Sequence, residues 1–312
     1  MDKNSKIYVA GHHGLVGSAI LRKLNEKFSN ILVRTHNELD LRNQKAVEQF
    51  FQKEQPEYVF LAAAKVGGIK ANLDYPASFI YDNLMINTNV IHAAYTYGVK
   101  KLLFLGSSCI YPRDCQQPIK EEYLLTGPLE KTNEPYAVAK IAGITLCHAY
   151  NCQYGTNFIT CMPTNLYGPN DNFDEQSSHV LAALIKKIYA AYLLKNDSVV
   201  IWGTGNPYRE FLYVDDLADA GLFLMEHYNG NGIVNIGTGT DIKIIDLAHL
   251  IKKIVGYNGE FTFDRTKPDG MPRKLLNSEI IRKLRWKPTY SLEEGIRKTV
   301  AWYKERYSKA EV

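Results

Sequence analysis

The amino-acid sequence predicts an α/β protein built around a doubly wound parallel sheet. In the first half of the chain, short apolar segments of strand type alternate with helical patterns, which is typical of a parallel sheet covered by helices on both faces. The first strand pattern continues into a glycine-rich turn and a helix, the arrangement that places a pyrophosphate on a helix N-terminus. The predicted architecture is therefore of Rossmann type, with a smaller, mixed α/β lobe where the alternation stops after Pro163.

The strands and helices of the first half follow each other in a regular order. Strands are predicted at residues 6–10, 31–34, 58–62, 101–105 and 157–162, and helices at residues 15–27, 44–53, 76–97 and 135–154. Asn133 and Glu134 suit the start of the last helix, and Pro135 suits its first turn. Because helices 76–97 and 135–154 are both long and carry apolar residues, we expect them to form a homodimer contact as well as to pack within the fold.

The second half of the chain has a more mixed pattern. A loop is predicted at 167–172, strands at 199–202 and up to 235–239, and helices at 178–194, 215–227, 246–255 and 292–307. We therefore divide the chain into a cofactor-binding domain of residues 1–165 and a substrate-binding lobe of residues 166–312. The segment near 207–236 is expected to pack back onto the first domain.

Composition argues against several kinds of partner. A net charge of +4 over 312 residues is modest and predicts no binding to nucleic acid or membranes, although it suits a diphosphate-bearing substrate. No signal peptide is expected before the first strand, and no apolar run is long enough to span a membrane. The five cysteines are an odd number without a C-x-x-C motif, which predicts a reducing cytoplasm and neither disulfides nor a metal site.

The glycine-rich turn is the candidate dinucleotide site. Gly11, Gly14 and Gly17 follow the first strand with the spacing G-x-x-G-x-x-G and lead into the first helix. Glycines at these positions let the backbone approach the phosphates and let the helix pack on the strand. An ordinary tight turn between strand and helix is the alternative interpretation, and the position so close to the start of the chain favours binding.

The end of the second predicted strand indicates which dinucleotide binds. An acidic residue there would bind the ribose hydroxyls of NAD. This chain instead has the basic residues Arg34 and His36, which favour the 2′-phosphate of NADP. Glu38 and Asp40 lie just beyond them, so NAD remains the alternative.

Tyr136 and Lys140 are the candidate acid/base pair. Four residues apart on a predicted helix, they lie on one face. A phenol has a reference pKa of about 10, and a neighbouring cation is expected to lower that pKa towards neutrality. Ser107 and Ser108 end the fourth predicted strand, where a parallel sheet binds its ligands, so either is positioned to hold a carbonyl oxygen.

In this order, the glycine turn, Ser107 and the Tyr136/Lys140 pair resemble the extended short-chain dehydrogenase/reductases over nearly the full chain. REFLYVDD at 209–216, NIG at 235–237 and WKP at 286–288 resemble that superfamily's second-lobe signatures. Four further segments are similar to GDP-L-fucose synthases: AAAKVGGI at 62–69, GSSCIYP at 106–112, PTNLYGP at 163–169 and KPDG at 267–270. This resemblance implies a bifunctional epimerase–reductase that converts GDP-4-keto-6-deoxy-D-mannose to GDP-L-fucose by inverting C3 and C5 and reducing C4 with NADPH.

The same resemblance implies roles for individual side chains. Cys109 and His179 match the family's acid and base for the two inversions, and both groups have pKa values that proteins tune towards neutrality. Ser107 and Tyr136 stabilise the oxygen at C4, Tyr136 donates its proton there, and Lys140 tunes Tyr136 and bonds the nicotinamide ribose. The expected substrate-binding residues are Lys187, Trp202, Arg209 and Asp269. The expected cofactor-binding residues are Gly11, His12, Gly14, Leu15, Val16, Gly17, Arg34, His36, Leu105, Gly106, Ser107, Ser108, Lys140, Pro163, Thr164, Asn165, Leu166 and His179.

The chain departs from the family pattern in two histidines, and two rival functions are weighed against the one that the resemblance implies. Many relatives have arginine where this chain has His12 and His36, so the preference for NADPH over NADH is expected to be less strict. A 4-epimerase or 4,6-dehydratase is one rival, although dehydratases usually have adjacent acidic residues where this chain has Ser108 and Cys109. A catalytically silent dinucleotide-binding scaffold or redox sensor is another, and the presence of Tyr136 and Lys140 opposes it.

Overall fold

The computed structural model describes residues 1–174, 177–267 and 269–307. Its strands, in chain order, are β1 (Ile7–Ala10), β2 (Ile31–Leu32), β3 (Tyr58–Leu61), β4 (Lys101–Leu105), β5 (Phe158–Pro163), β6 (Asn165–Tyr167), β7 (Ser198–Trp202), β8 (Tyr208–Tyr213), β9 (Ile233–Ile236), β10 (Asp241–Lys243), β11 (Glu260–Asp264) and β12 (Arg273–Lys274). Residues 175, 176 and 308–312 of the predicted second lobe lie outside the described residues, as does Pro268 of the KPDG segment.

The helices alternate with the strands in the first half, as predicted. In chain order they are α1 (Leu15–Asn25), α2 (Gln44–Glu54), α3 (Ile69–Asp74), α4 (Pro76–Thr96), α5 (Glu134–Tyr154), α6 (Val180–Leu194), α7 (Val214–His227), α8 (Ile244–Val255), α9 (Glu279–Lys283) and α10 (Leu292–Tyr307). Short 3-10 turns occur at Ser108–Ile110 and Glu121–Tyr123. None of the helices in the described part of the chain combines the length and apolar character needed to cross a membrane.

A six-stranded parallel sheet forms the centre of the molecule and confirms the predicted fold class. Its strand order is β2-β1-β3-β4-β5-β9. The chain leaves β1 in one direction towards β2 and returns on the other side to β3, so the sheet has its switch point beside β1. Ligands of such sheets bind at the carboxyl ends of the strands near this point.

The two faces of the sheet explain why its strands are almost entirely apolar. On β1, Ile7 and Val9 face a cluster formed with α1 and α7, whereas Tyr8 and Ala10 face the opposite cluster with α2, α4 and α5. Side chains alternate between faces along a strand, so a strand covered on both sides must be apolar throughout. On α5, a Cβ at Gly143 would lie 2.4 Å from the Phe104 ring, so this helix packs closely on β4.

The second half of the chain contributes both to this sheet and to a separate lobe. β9 pairs with β5, and α7 packs beside α1. The remaining elements have their own apolar core, which includes Leu181, Ile188, Leu247, Ile251 and Val300. The central sheet therefore contains strands from both sides of residue 165. The division of the chain into two domains at this residue stays a prediction.

Several short elements differ from the sequence predictions. β2 ends at Leu32, two residues earlier than expected, so Arg34 lies in the following loop. The predicted loop at 167–172 begins inside β6, which pairs with β8. The sequence patterns do not predict six elements: α3, β8, β10, β11, β12 and α9. Strands of two to six residues carry too little periodicity to be distinguished locally, because their pairing partners lie far away in the sequence.

Candidate active site

A cavity of about 960 Å³ opens at the carboxyl ends of β1, β3, β4 and β5 and extends to the second lobe. Every residue that the sequence predicts for the site lines this cavity, except His12. Those that line the cavity are Gly11, Gly14, Leu15, Val16, Gly17, Arg34, His36, Leu105, Gly106, Ser107, Ser108, Cys109, Tyr136, Lys140, Pro163, Thr164, Asn165, Leu166, His179, Lys187, Trp202, Arg209 and Asp269.

The glycine turn forms one end of this cavity. Gly11 has a φ of +84°, which glycine adopts without strain. A Cβ on Gly17 would lie 2.1 Å from the carbonyl oxygen of Gly11, so α1 reaches the turn only because no side chain is present there. α1 has Gly14 as its N-cap and no acidic residue in its first turn. Its N-terminal N–H groups therefore suit a pyrophosphate, and the turn fits a dinucleotide.

Arg34 lies beside the expected adenosine end of the cavity, but its charge is already paired. Its Nη2 donates to Glu54 Oε1 at 2.8 Å, and its Nη1 donates to the carbonyl oxygen of Val33 at 2.7 Å. The guanidinium also lies 5.4 Å from the centre of the Phe50 ring. A 2′-phosphate at this position would have to share Arg34 with the Glu54 carboxylate.

The two histidines near this end differ in exposure. The side chain of His36 is 68% exposed and lies 4.0 Å from Asp40. His12 is buried, its ring centre is 4.0 Å from that of His13, and its Nδ1 has no hydrogen-bond partner among the described residues. Burial and the neighbouring His13 lower the pKa of His12, so this imidazole is neutral at pH 7.

Lys140 occupies the floor of the cavity beneath Tyr136. Its Nζ is buried, donates to the carbonyl oxygen of Leu105 at 2.7 Å and lies 5.9 Å from the centre of the Tyr136 ring. Burial lowers the pKa of Lys140 to about 8. The one-turn spacing on α5 therefore places the ammonium and the phenol side by side, as the sequence predicts.

The electrostatic expectation for Tyr136 is wrong for this structure. Burial raises the pKa of its phenol, and the nearby Cys109 thiol raises it further. A hydrogen bond with Ser107 acts in the opposite direction but does not outweigh burial. The Lys140 ammonium, 5.9 Å from the centre of the Tyr136 ring, does not reverse this shift.

Cys109 lies on the 3-10 turn after β4, close to Ser107 and Tyr136. Its Sγ receives hydrogen bonds from Asn133 Nδ2 at 3.2 Å and Lys274 Nζ at 3.3 Å. Burial acts to raise the pKa of the thiol, but the charge of Lys274 and a hydrogen bond with Ser107 outweigh it. The Cys109 pKa therefore lies below its ordinary value.

His179 lines the same cavity from the second lobe. It is the N-cap residue of α6 and is one of the exposed residues that line the cavity. Burial lowers its pKa first, and the charge of Lys274 lowers it further. The thiol and the imidazole thus meet in one cavity although 70 residues separate them in the chain.

The predicted substrate end contains an aromatic face with two lysines above it. Lys187 Nζ lies 4.8 Å and Lys267 Nζ 5.5 Å from the ring of Trp202, which is 45% exposed. Lys187 also donates to the carbonyl oxygen of Val200 at 3.4 Å. A flat face with cations beside it can accept a nucleotide base and its phosphates.

Arg209 and Asp269 meet on the opposite wall. Arg209 Nη2 donates to the backbone oxygen of Asp269 at 3.3 Å, and burial lowers the pKa of this guanidinium. The Asp269 carboxylate accepts from the backbone N–H and the hydroxyl of Thr204, each at 2.8 Å. Asp269 therefore also holds the turn at Gly203 and Thr204, a structural task that the sequence did not reveal.

The cavity lining also includes residues that the sequence did not assign to the site, and three of them carry polar groups that bear on its chemistry: Asn133, Asp171 and Lys274. The sequence predicts only a helix start at Asn133, yet its amide contacts Cys109 and its Oδ1 is buried without a partner among the described residues. Burial raises the pKa of Asp171, in the loop after β6, to about 7. Lys274 lies on β12, a two-residue strand with no sequence signal of its own.

A family model describes most of the chain. Residues 7–237 match the NAD dependent epimerase/dehydratase family. This range begins at β1, includes the glycine turn and the Tyr136/Lys140 pair, and ends just after β9. Every element of the central sheet therefore falls within the matched region.

Individual relatives match over nearly the whole length. The chain is 58% identical over 306 residues to a putative GDP-L-fucose synthase 2 of Arabidopsis thaliana, covering 98% of this chain and 93% of that protein. It is 50% identical over 310 residues to a GDP-L-fucose synthase of Escherichia coli (strain K12), covering 96% and 97%. A crystal structure of a GDP-L-fucose synthetase from Naegleria fowleri bound to NADP has a TM-score of 0.91 at 32% identity, covering 99% and 96%.

Proposed function

Because the chain belongs to the NAD dependent epimerase/dehydratase family, and within it to the GDP-L-fucose synthases, we propose that its cavity converts GDP-4-keto-6-deoxy-D-mannose to GDP-L-fucose. The enzyme uses NADP(H) and acts on a GDP-sugar. The division of this reaction into two epimerisations and one reduction, and the side chains assigned to each step, are our proposal.

The observation that carries this proposal is the meeting of two kinds of chemistry in one cavity. Ser107, Tyr136 and Lys140 form the acid/base group of a carbonyl reductase, and Cys109 and His179 form a second pair suited to moving protons on carbon. A simple 4-epimerase needs no second pair. A dinucleotide-binding scaffold needs neither the acid/base group nor the second pair. Adjacent acidic residues typical of a 4,6-dehydratase are replaced here by Ser108 and Cys109.

In the epimerisation half, the C4 ketone makes the protons on C3 and C5 acidic. Donation from Ser107 and Tyr136 to the ketone oxygen stabilises the enolate that forms when such a proton is removed. Inversion then requires removal from one face and return on the other. The lowered pKa of Cys109 supports a thiolate that accepts the proton. The lowered pKa of His179 makes its imidazolium, once it has formed, a stronger acid for the return of a proton.

In the reduction half, NADPH supplies hydride to C4 when it is bound in the glycine-turn half of the cavity. Tyr136 donates its proton to the oxygen at C4, and its high pKa keeps the phenol protonated until that moment. Lys140 holds its charge beneath the ring and lowers the energy of the phenolate left behind. Ser107 orients the ketone by donating to the same oxygen.

The decisive experiment is incubation with GDP-4-keto-6-deoxy-D-mannose and either NADPH or NADH, with loss of nicotinamide absorbance followed and the sugar identified by NMR. We expect GDP-L-fucose, with a preference for NADPH that the neutral His12 and the paired Arg34 keep moderate. Absence of turnover with either cofactor would contradict the proposed function and favour a 4-epimerase or a catalytically silent scaffold.

Replacing Cys109 by Ser separates the two halves of the reaction. The hydroxyl is far less acidic than the thiol, so we expect reduced sugars in which C3 or C5 is not inverted, at a rate of epimerisation lower by about 100-fold or more. NMR of the products checks this. Cys152→Ser, at an exposed position outside the cavity, is the matched control. An unchanged yield of GDP-L-fucose from Cys109→Ser would remove the thiol from the mechanism.

We also propose that the protein is a homodimer that contacts its copy through α4 and α5. The outward face of α4 carries Tyr81, Leu84, Met85, Thr88 and His92, a surface with little charge, and Tyr81 is 61% exposed. On α5, Val138 and Tyr154 are exposed as well. A cytoplasmic location is proposed on the five free cysteines, which suit a reducing compartment.

A further inference from the structure

Lys274 is a buried cation whose position has no structural explanation in the second lobe. β12 pairs in parallel with β8, and the register sets Lys274 opposite Arg209. The Lys274 residue is only 7% exposed, and among residues 1–174, 177–267 and 269–307 it forms no salt bridge. Burying an ammonium without a carboxylate is costly, so such a group is retained where another anion compensates it.

The nearest candidate for that anion is the sulfur of Cys109. Lys274 Nζ lies 3.3 Å from Sγ, and Asn133 Nδ2 approaches the same sulfur at 3.2 Å. Arg209, on the neighbouring strand, adds a second positive charge. Three groups therefore surround one sulfur: Asn133 as a neutral donor, Lys274 as a charged donor and Arg209 as a second charge. They suit a thiolate rather than a neutral thiol.

We propose that Lys274 is a positioning residue that holds Cys109 as a thiolate and directs its sulfur towards the sugar. The proposal rests on the function proposed above and deepens it. In each inversion the C–H bond breaks, its electron pair passes into the enolate, and the proton moves to the Cys109 sulfur. The enolate carbon then takes a proton from the His179 imidazolium on the other face, and proton exchange with solvent restores the thiolate and the imidazolium before the second inversion.

The same cation prepares both partners of this exchange. Lys274 stabilises the anionic form of Cys109 and destabilises the cationic form of His179. Cys109 is therefore ready to accept a proton at neutral pH, and a protonated His179 is a stronger acid than a free imidazolium. Loss of Lys274 should weaken the removal of the proton, because Cys109 would less often be a thiolate at pH 7, while the Tyr136 and Lys140 chemistry at C4 is left in place.

The test is the pH dependence of Cys109 alkylation by iodoacetamide in the full-length protein, measured peptide by peptide by mass spectrometry. The wild-type midpoint is expected below the ordinary thiol value of about 8.5. Lys274→Met should move it upwards and slow Cys109 alkylation at pH 7 by about tenfold. Lys274→Arg should restore most of the rate. Arg273→Met is the matched control, since Arg273 is the neighbouring cation on β12 and pairs with Asp241 instead.

Three results would overturn the proposal. The first is an identical alkylation profile for wild type and Lys274→Met. The second is a midpoint of Cys109 alkylation at or above about 8.5 in the wild type. This result refutes the proposal even if circular dichroism shows that Lys274→Met does not fold. The third is a Lys274→Met variant with normal alkylation and only a raised KM for the GDP-sugar, which would assign the lysine to the diphosphate.

A second readout links the residue to the reaction. In D2O with substrate, solvent deuterium incorporation at C3 and C5 should fall about tenfold in Lys274→Met relative to hydride transfer at C4. Equal loss of exchange and reduction would indicate a structural role and overturn the proposal. The alkylation experiment needs no substrate, so absence of turnover in the wild type would refute the proposed function without touching the result for Lys274.

Discussion

Lys140 shows how one buried charge is used at the scale of a single residue. Its Nζ donates to a strand-end carbonyl and lies beneath the Tyr136 ring, so its charge is held in place without a carboxylate partner. Burial lowers the Lys140 pKa to about 8. The group is therefore charged below that pH, and the charge is lost as the pH rises through it.

This pKa predicts the alkaline limb of the reductase reaction. The value of kcat/KM for NADPH reports the pKa values of the free enzyme, so it should fall above pH of about 8, by about tenfold per pH unit. Lys140→Arg should move the fall to higher pH because a guanidinium stays charged. Lys140→Met should lose about 100-fold at neutral pH. A profile that stays flat to alkaline pH in the wild type would contradict the assignment of Lys140.

At the scale of elements, the side chain of Glu210 on β8 connects the segment after β9 of the central sheet to the segment after β12. Glu210 is buried and accepts hydrogen bonds from the backbone N–H of Gly239 at 2.7 Å and of Leu276 at 2.9 Å. A Cβ on Gly237 would lie 2.3 Å from the Glu210 carboxylate. The REFLYVDD and NIG signatures thus meet in space, and the glycine of the second leaves room for the glutamate of the first.

Removal of this carboxylate should destabilise the fold. Glu210→Ala leaves one buried and one partly buried N–H group without this acceptor, so we expect a loss of about 3 kcal/mol in the free energy of unfolding. Urea denaturation followed by circular dichroism measures it, as a lower midpoint at unchanged slope. Glu260→Ala, at an exposed position on β11, is the control and should change stability by less than about 0.5 kcal/mol. Equal stability of the two variants would show that Glu210 carries no such role.

At the scale of the whole molecule, helices α4 and α5 pack against each other and leave one face uncovered. Their inner residues fill the core against β4 and β5, and the ring of Tyr95 stacks on Tyr154 at 4.2 Å. Apolar residues on the outer face repeat at helical spacing along α4. The proposed homodimer would bury this face.

A charge on that face should therefore prevent assembly. In analytical ultracentrifugation we expect the wild type to sediment as a dimer and Tyr81→Glu as a monomer, because an unpaired carboxylate in an apolar contact is costly. Tyr192→Glu changes an exposed tyrosine on α6 and should remain dimeric. A monomeric wild type, or a dimeric Tyr81→Glu, would refute the contact through α4.

The sequence by itself determined the fold class, the family and the residues at the two ends and the centre of the cavity that were assigned roles. Alternating apolar strands and amphipathic helices are local patterns, and they predict a parallel sheet without any knowledge of its pairing. The glycine turn and the Tyr136/Lys140 pair are local features as well. A single turn brings the three glycines together, and one turn of helix separates Tyr136 from Lys140. Cys109 and His179 came from the resemblance to a family, because no local pattern links a strand end to a helix start far along the chain.

Only the tertiary structure decided the electrostatics of the site. Burial reverses the expected direction of the Tyr136 pKa, pairing with Glu54 occupies Arg34, and neither effect is visible in local sequence. Lys274 lies 165 residues from Cys109 and reaches it only because β12 pairs with β8. A pKa depends on every group within a few ångströms and on the depth of burial, and both are properties of the packed molecule rather than of the chain.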